Sequence, residues 1–146
     1  THSNTHPDMV KLDAAAQALE LSDSIKIIEN YLEVTPKVFR APFGSYNNTL
    51  MDTAEKAGLT TIQWDVDSLD WKGISSAEIL KRVSGKAKSG SIVLFHNNSD
   101  NILDALPAVI DCLKNKGYEF TTVSDLIYHE NAYVDMNGVQ HQSQNG

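Results

Sequence analysis

The chain has 146 residues, of which 41% are hydrophobic and 21% are charged, an ordinary composition for a folded globular domain. Its length is typical of one domain or most of one. The formal net charge of −7 argues against nucleic acid or an anionic membrane surface as the main partner, because both attract Lys and Arg. No apolar run is as long as a membrane span, so we do not expect this segment to be integral to a membrane.

Helical periodicity recurs along the chain. Apolar residues at spacings of three and four predict a first helix over residues 13–33, with Asp13 as its N-cap. Asn48 is predicted to cap a second helix, and Ser75 with Glu78 forms the capping box of a third. The residues predicted to face the core are Ala14, Ala18, Leu21, Ile25, Ile28 and Leu32 in the first helix, and Leu103, Leu106, Ile110 and Leu113 in a fourth.

Short apolar segments separate these helices and predict strands. They do not alternate between apolar and polar residues, as expected when both faces of a sheet are covered. Strands that alternate with helices pair in parallel through right-handed crossovers, either in an open sheet or in a barrel. The predicted strands are residues 37–40, 60–65, 91–95 and 118–123.

The end of the chain differs in composition from the rest. Residues 1–136 carry the alternating elements and show no internal repeat and no second domain. Residues 137–146 are polar and rich in Gln and Asn, and this composition predicts a mobile tail.

The first group with possible chemistry is the pair His2 and His6. Two histidines four residues apart share one face of a helix or turn, and imidazole is the commonest protein ligand for zinc and similar ions. Two histidines at this spacing also arise by chance, and the pair alone slightly favours that interpretation.

Three further groups follow predicted strands. Arg40 begins the turn Arg-Ala-Pro-Phe-Gly, which is either a plain surface turn or a loop that directs a backbone N–H into a site. Asp65, Asp67 and Asp70 precede Trp71, as solvated turn residues or as a carboxylate that orients a histidine beside a sugar-binding aromatic.

His96 ends the apolar strand Ser-Ile-Val-Leu-Phe, where a structural histidine is the usual interpretation. Because parallel strands place their carboxyl ends on one rim, we expect it to lie near Arg40 and the aspartates. A metal, an Asp–His pair, an Arg and a positioned amide together favour metal-assisted hydrolysis of an acyl group.

Four motifs in order resemble the polysaccharide deacetylase family, carbohydrate esterase family four. The family motifs H-[ST]-x-x-H, R-x-P-[YF]-G, D-x-x-D-W and L-x-H correspond here to HSNTHP, RAPFG, DSLDW and LFH. The resemblance implies a distorted (β/α) barrel of parallel strands, in which residues 1–136 are the C-terminal part of one deacetylase domain. The sequence of these segments is most similar to a clostridial, sporulation-associated branch that acts on peptidoglycan.

The resemblance also implies a role for each motif residue. His2 and His6 would bind a divalent metal, with zinc as the first choice, and Arg40 would hold the catalytic aspartate. The Phe43 amide would stabilise the oxyanion, and His96, oriented by Asp70, would protonate the leaving group. Residues expected to line the acetyl pocket are Trp71 and Leu94.

One departure affects the expected chemistry. The family's first motif, T-F-D-D, supplies the catalytic base and a third metal ligand, and this sequence has no counterpart to it. The expectation is therefore that the N-terminal strands are missing from this chain. It would then be ordered only with that segment as a partner, in the same protein or as a separate chain.

The expected function is metal-dependent removal of acetyl groups from an acetylated polysaccharide, with N-deacetylation of N-acetylglucosamine in peptidoglycan as the first choice. O-deacetylation of acetyl-xylan is the nearest alternative enzyme activity. A carbohydrate-binding relative with a broken metal site is the alternative from another class. The expected location is the bacterial cell envelope or the extracellular space.

Overall fold

The computed structural model describes residues 1–135 and 137–143. The chain divides into two compact units, Thr1–Gln63 with Ile127–Gly146, and Trp64–Leu126, and each is described by itself. Both units contain helices and a parallel pair of short strands, which confirms the predicted α/β class.

The first unit contains helix α1, Ala14–Leu32, whose N-cap Asp13 accepts a hydrogen bond from the Ala16 N–H at 2.8 Å. The predicted cap is therefore confirmed. The buried face of the helix is only partly the predicted stripe, since Leu21 is fully buried but Leu32 is exposed. Ala14 and Ala18, both predicted to face the core, are also exposed.

The polar residue Gln17 occupies the centre of that buried face. Its side-chain amide donates to the Met9 carbonyl at 3.0 Å and to the Leu12 carbonyl at 3.2 Å, which join the helix to the 3₁₀ turn Met9–Lys11. Burying an amide is tolerable only when its hydrogen bonds are satisfied. Hydrophobic periodicity misses this position because the partners lie in a turn.

Strand β1, Val38–Arg40, pairs in parallel with β2, Thr60–Ile62. Helix α2, Asn48–Lys56, connects them, and its N-cap is Asn47, one residue before the predicted one. These elements pack with α1 around one apolar cluster. Its buried residues are Met9, Leu21, Phe39, Ala41, Leu50, Ala54 and Leu59.

The second unit repeats this plan with shorter strands. Strand β3, Val66–Asp67, pairs in parallel with β4, Val93–Leu94. Helix α3, Ser76–Lys86, has the predicted capping box, and α4, Ile102–Asn115, packs against it. The buried residues of this unit's apolar cluster are Val66, Ile79, Val83, Ala105, Val109 and Leu113.

The predicted core face of α4 is wrong in part. Leu103 is 86% exposed and Leu106 is 37% exposed, whereas Ala105 and Val109 are buried. The residues that α4 buries in the apolar cluster are Ala105, Val109 and Leu113. Leu103 and Leu106 project away from the core, which apolar spacing alone does not reveal.

The predicted strand at residues 118–123 is also wrong. Gly117, at φ 86°, ends the preceding helix, and the Tyr118 N–H donates back to the Leu113 carbonyl at 3.1 Å. Residues 119–122 are exposed and pair with no strand among the described residues. The short helix α5, Val123–Leu126, follows directly.

The end of the first unit is more regular than its composition indicates. Strand β5, Ala132–Val134, forms an antiparallel pair with β6, Gln140–Gln142, and β6 lies within the predicted tail. The expected boundary at Met136 and the last three residues, 144–146, lie outside the described part of the chain. The proposed division into 1–136 and 137–146 therefore stays a prediction.

The described strands form three separate two-stranded sheets, so the expected barrel also stays a prediction. Among the described residues, no helix has both the length and the apolar character that crossing a membrane requires.

Replacing Gln17 with Met should lower the free energy of unfolding by about 1–3 kcal/mol, because two buried carbonyls each lose a donor. Urea unfolding of the intact protein measures this change. Asn30→Met on the exposed side of the same helix is the control and should stay within about 0.5 kcal/mol of the parent. Equal stability of the two variants would contradict the assigned role of Gln17.

Candidate functional site

Backbone pairing fixes the position of the first histidine. The Arg40 N–H donates to the Thr1 carbonyl at 3.1 Å, and the Thr1 nitrogen donates to the Val38 carbonyl at 2.7 Å, so the segment lies along β1. His2 Nδ1 lies 2.6 Å from the Arg40 carbonyl and must be the donor, because a carbonyl only accepts. This contact leaves Nε2 as the nitrogen that could bind a metal, a pattern common in metal-ligating histidines.

The second histidine lies beside the first. The ring centroids of His2 and His6 are 4.9 Å apart, and the His6 ring meets the edge of Phe43 at 4.8 Å. The segment between them is a turn rather than a helix. Ser3 and His6 have φ values of 67° and 60°, a left-handed conformation that non-glycine residues rarely adopt and that clusters at functional sites.

The electrostatic surroundings favour neutral His2. Burial lowers the pKa of its imidazole, and the charges of Arg40 and His6 act in the same direction. The hydrogen bond to the Arg40 carbonyl acts in the opposite direction without reversing the shift. Burial also lowers the pKa of the Arg40 guanidinium. Neutral imidazole is the form that binds a metal.

The turn after β1 has the predicted form. Residues Pro42–Gly44 form a 3₁₀ turn in which Phe43 has φ 60° and is 68% exposed. The N–H groups in a first helical turn lack partners within the helix, so the Phe43 amide suits the expected oxyanion contact. Gln63 holds this turn, because its Nε2 donates to the Gly44 carbonyl at 2.9 Å.

The two histidines fit a metal site only as part of a ligand set. The described residues contain no group of three His, Cys, Asp or Glu side chains that could hold a metal ion. Zinc sites use three or four protein ligands. His2 and His6 would therefore be two members of a larger ligand set, and both their role as ligands and the expected metal stay predictions.

The second unit holds an Asp–His pair. The side chain of Asp70 is completely buried and its Oδ1 lies 2.8 Å from His96 Nδ1. Oδ1 also accepts from the Trp71 N–H at 2.9 Å, and Oδ2 accepts from the His96 N–H at 2.7 Å. The His96 ring is 39% exposed, so its Nε2 is the nitrogen available for proton transfer.

The loop that carries Asp70 is held by its own side chains. Leu69 has φ 58°, and the Asp67 carboxylate accepts from its N–H at 2.9 Å. Arg82 of α3 donates to the Asp67 carbonyl at 2.7 Å, and Ser99 donates to the Asp70 carbonyl at 2.9 Å. These bonds fix the carboxylate before any ligand binds.

The hydrogen bonds also set the ionisation of Asp70. Burial raises the pKa of its carboxyl, but the bonds from the His96 N–H and imidazole and from Ser68 outweigh burial. The pKa of Asp70 is therefore lower than its ordinary value of 3.8. The third carboxylate of this stretch, Asp65, accepts from Ser91 and from the Ile92 N–H and is structural.

The two residues expected to line an acetyl pocket differ in exposure. Trp71 is 56% exposed with the Lys72 amine 5.0 Å from its ring, whereas Leu94 is buried in β4. The assignment of these two residues to an acetyl pocket stays a prediction.

Comparison with known proteins identifies the relationship. The polysaccharide deacetylase family model matches residues 1–62. A peptidoglycan-N-acetylglucosamine deacetylase from Bacillus cereus is 30% identical over 86% of this chain and 47% of its own length. A bifunctional xylanase/deacetylase from Pseudobutyrivibrio xylanivorans is 38% identical over 86% of this chain and 21% of its own. This chain thus spans less than half of either relative.

Solved structures of carbohydrate esterases are also similar to this chain. A family 4 carbohydrate esterase from Streptomyces lividans is 39% identical with a TM-score of 0.77, over 80% of this chain and 60% of that chain. The chain belongs to the polysaccharide deacetylase family. A family 4 pseudoenzyme from Bacillus anthracis is also similar, 32% identical with a TM-score of 0.83 over 86% of this chain and 44% of that chain.

Family membership supports the sequence motifs, whose residues belong to two different units. One unit brings together His2, His6, Arg40 and Phe43, and the other brings together Asp70, Trp71, Leu94 and His96. The expectation that all of them share one rim stays a prediction.

Two residues that support the deacetylase motifs were missed by sequence reasoning. Glu20 of α1 accepts hydrogen bonds from the turn between the two histidines, and Gln63 holds the turn after Arg40. Neither belongs to a motif, and both lie far along the chain from the segment that they support. No signal in a single sequence could have identified them.

Stability should depend on pH through Asp70. Its folded-state pKa is lowered, so between that value and about 3.9 the unfolded state binds more protons. The contribution of Asp70 to the free energy of unfolding is complete above this pH range. It is lost as the pH falls through the folded-state pKa. Urea unfolding from pH 3 to 7 should show the parent and Asp70→Asn converging at low pH.

A control variant for this experiment is His96→Ala, which removes the imidazole donor to Asp70 but leaves the bond from the residue 96 N–H. The pH range over which Asp70 affects stability should therefore become narrower. A difference between the parent and Asp70→Asn that stays constant down to pH 3 would show that the carboxylate is not stabilised in the folded state.

Proposed function

We propose that this chain is part of a metal-dependent hydrolase that removes acetyl groups from an acetylated polysaccharide, with N-acetylglucosamine of peptidoglycan as the substrate. The observation that carries the proposal is the Asp70–His96 pair, in which a buried carboxylate fixes a half-exposed imidazole. Relatives named as peptidoglycan deacetylases support the choice of substrate.

His96 is the proposed general acid. Because Nδ1 is held by Asp70, Nε2 is the atom that donates a proton to the departing sugar nitrogen. The buried carboxylate keeps the ring in one tautomer and one orientation, and it stabilises the charged imidazolium. Trp71 and Leu94 are the proposed contacts of the acetyl group and the sugar.

Residues of the first unit have the complementary roles. His2 and His6 would hold the metal, which we propose to be zinc. A bound divalent metal supplies polarisation of the acetyl carbonyl and activation of water. The Phe43 N–H would donate to the oxyanion, where fixed donors stabilise a developing charge most. Arg40 would hold the aspartate of the family's first motif, which this sequence does not contain.

Two alternatives have specific support. O-deacetylation of acetyl-xylan is supported by the 38% identity to a bifunctional xylanase/deacetylase. A non-catalytic, carbohydrate-binding role is supported by the similarity to a family 4 pseudoenzyme. Both fit the same fold, so substrate tests must separate them from the leading proposal.

The remaining proposals follow from the relatives. The described strand pairs would belong to a distorted (β/α) barrel like that of the family. The protein would act at the cell envelope or outside the cell, since relatives modify peptidoglycan. The segment that carries the first motif would be its structural partner, within the same protein or as a separate chain.

Acetate release from N-acetylated peptidoglycan should fall by about 10²–10⁴-fold in His96→Ala, because general-acid catalysis supplies a factor of that size. A coupled acetate assay on the intact protein measures this loss. The matched control is His141→Ala, which removes another Asp-bonded histidine, 2.8 Å from Asp135 on the β5–β6 hairpin. That variant should retain the parent rate.

The outcome on different substrates separates the proposals. Faster acetate release from acetyl-xylan than from peptidoglycan would favour the xylan alternative. Retained glycan binding with no acetate release from either substrate would overturn the enzyme proposal and favour the pseudoenzyme alternative.

Removal of the metal should abolish acetate release, and added zinc should restore it. Metal analysis of the intact protein by mass spectrometry should find about one zinc per molecule in the parent and less in His2→Ala and His6→Ala. Activity that persists after complete chelation would rule out the metal-dependent mechanism.

A further inference from the structure

We propose that Glu20, in the middle of α1, is a positioning residue that sets the arrangement of His2 and His6 by holding the turn between them. The inference rests on the proposed function, because it assigns Glu20 a role in metal binding. No family motif includes this residue.

Three hydrogen bonds join Glu20 to the turn. Its Oε2 accepts from the Asn4 N–H and from the Thr5 N–H, each at 2.8 Å, and its Oε1 accepts from the Thr5 hydroxyl at 2.6 Å. Bonds to an ionised carboxylate are stronger than neutral ones. Burial alone would raise the pKa of the Glu20 carboxyl. The hydrogen bonds from Thr5 and Asn4 outweigh burial, so the pKa of Glu20 is lowered.

The other end of the segment is held by β1. Arg40 donates to the Thr1 carbonyl, and its own carbonyl accepts from His2 Nδ1. The chain from the first histidine to the second is therefore anchored at its start by a strand and between the two histidines by a helix. Among the described residues, Glu20 is the helix residue that accepts from the Asn4 and Thr5 N–H groups.

The turn needs such an anchor because its backbone is strained. Ser3 and His6 are both left-handed, and the His6 N–H donates to the Ser3 hydroxyl at 3.0 Å. A left-handed non-glycine residue persists only where the surroundings hold it. Without Glu20, we expect the turn to relax and the two rings to lose their fixed separation of 4.9 Å.

Glu20 is not itself placed as a ligand. Both of its carboxylate oxygens accept hydrogen bonds from the turn, and it forms no metal-capable group of three with the histidines in the described part of the chain. It acts through the turn, so its loss should weaken metal binding without removing a ligand.

The test is zinc affinity of the intact protein, measured by competition with a chromophoric chelator. Glu20→Ala should weaken zinc binding by about tenfold or more, in the range found for outer partners of metal ligands. Glu20→Gln keeps acceptor capacity but loses the charge, and it should fall between the parent and Glu20→Ala. The matched control is Glu29→Ala on the same helix, which loses only a bond from the Thr35 hydroxyl at 2.7 Å and should bind zinc like the parent.

Hydrogen exchange of the metal-free protein provides a readout that does not involve metal. The Asn4 and Thr5 amides should exchange faster in Glu20→Ala than in the parent, with unchanged protection in β1. Circular dichroism confirms that each variant is folded.

The results distinguish two failures. Unchanged zinc affinity and unchanged amide exchange in Glu20→Ala, with zinc binding in the parent that depends on His2 and His6, would overturn the role of Glu20 alone. A parent protein that binds no zinc through these histidines would overturn the proposed function together with this inference.

Discussion

The need to satisfy buried polar groups and strained backbone governs each of the two groups of candidate residues. A carboxylate removed from water must accept several hydrogen bonds, and Asp70 does so from two backbone N–H groups and one imidazole. Those same bonds fix His96 relative to β4. Glu20 is only partly buried, but it has a comparable role in the first unit, where its oxygens accept from two consecutive amides. In each case a carboxylate organises the main chain that presents a histidine.

The candidate chemistry therefore depends on loops whose shape is set before a ligand arrives. Phe43 and Leu69 are both left-handed and both adjoin motif residues. Strain of this kind is retained where function requires an exact backbone direction and where neighbouring groups compensate for it. Gln63 compensates beside Phe43, and Asp67 compensates at Leu69. A fixed imidazole and a fixed amide need little reorganisation during a reaction, which is the basis of electrostatic catalysis.

Much of this arrangement could be predicted from the sequence. The N-cap at Asp13, the Ser75 capping box and the turn after Arg40 follow from local rules and were confirmed. The Asp70–His96 contact followed from family resemblance. Helix orientation was harder, because the spacing of apolar residues does not reveal that α4 buries Ala105 rather than Leu103. The strand expected at residues 118–123 failed because a strand needs a partner, and local propensity carries no information on partners.

The brevity of the strands has a consequence for how mutations would act. The pair β3–β4 contains two residues in each strand, so its ladder provides very few hydrogen bonds. Most of the cohesion in that unit comes from the contact between α3 and α4. Loss of helix packing at Val83 or Val109 would therefore open the whole unit as one cooperative element, rather than fray its ends. Residues far from any reacting atom would then show loss-of-function phenotypes through a rise in the population of the opened state.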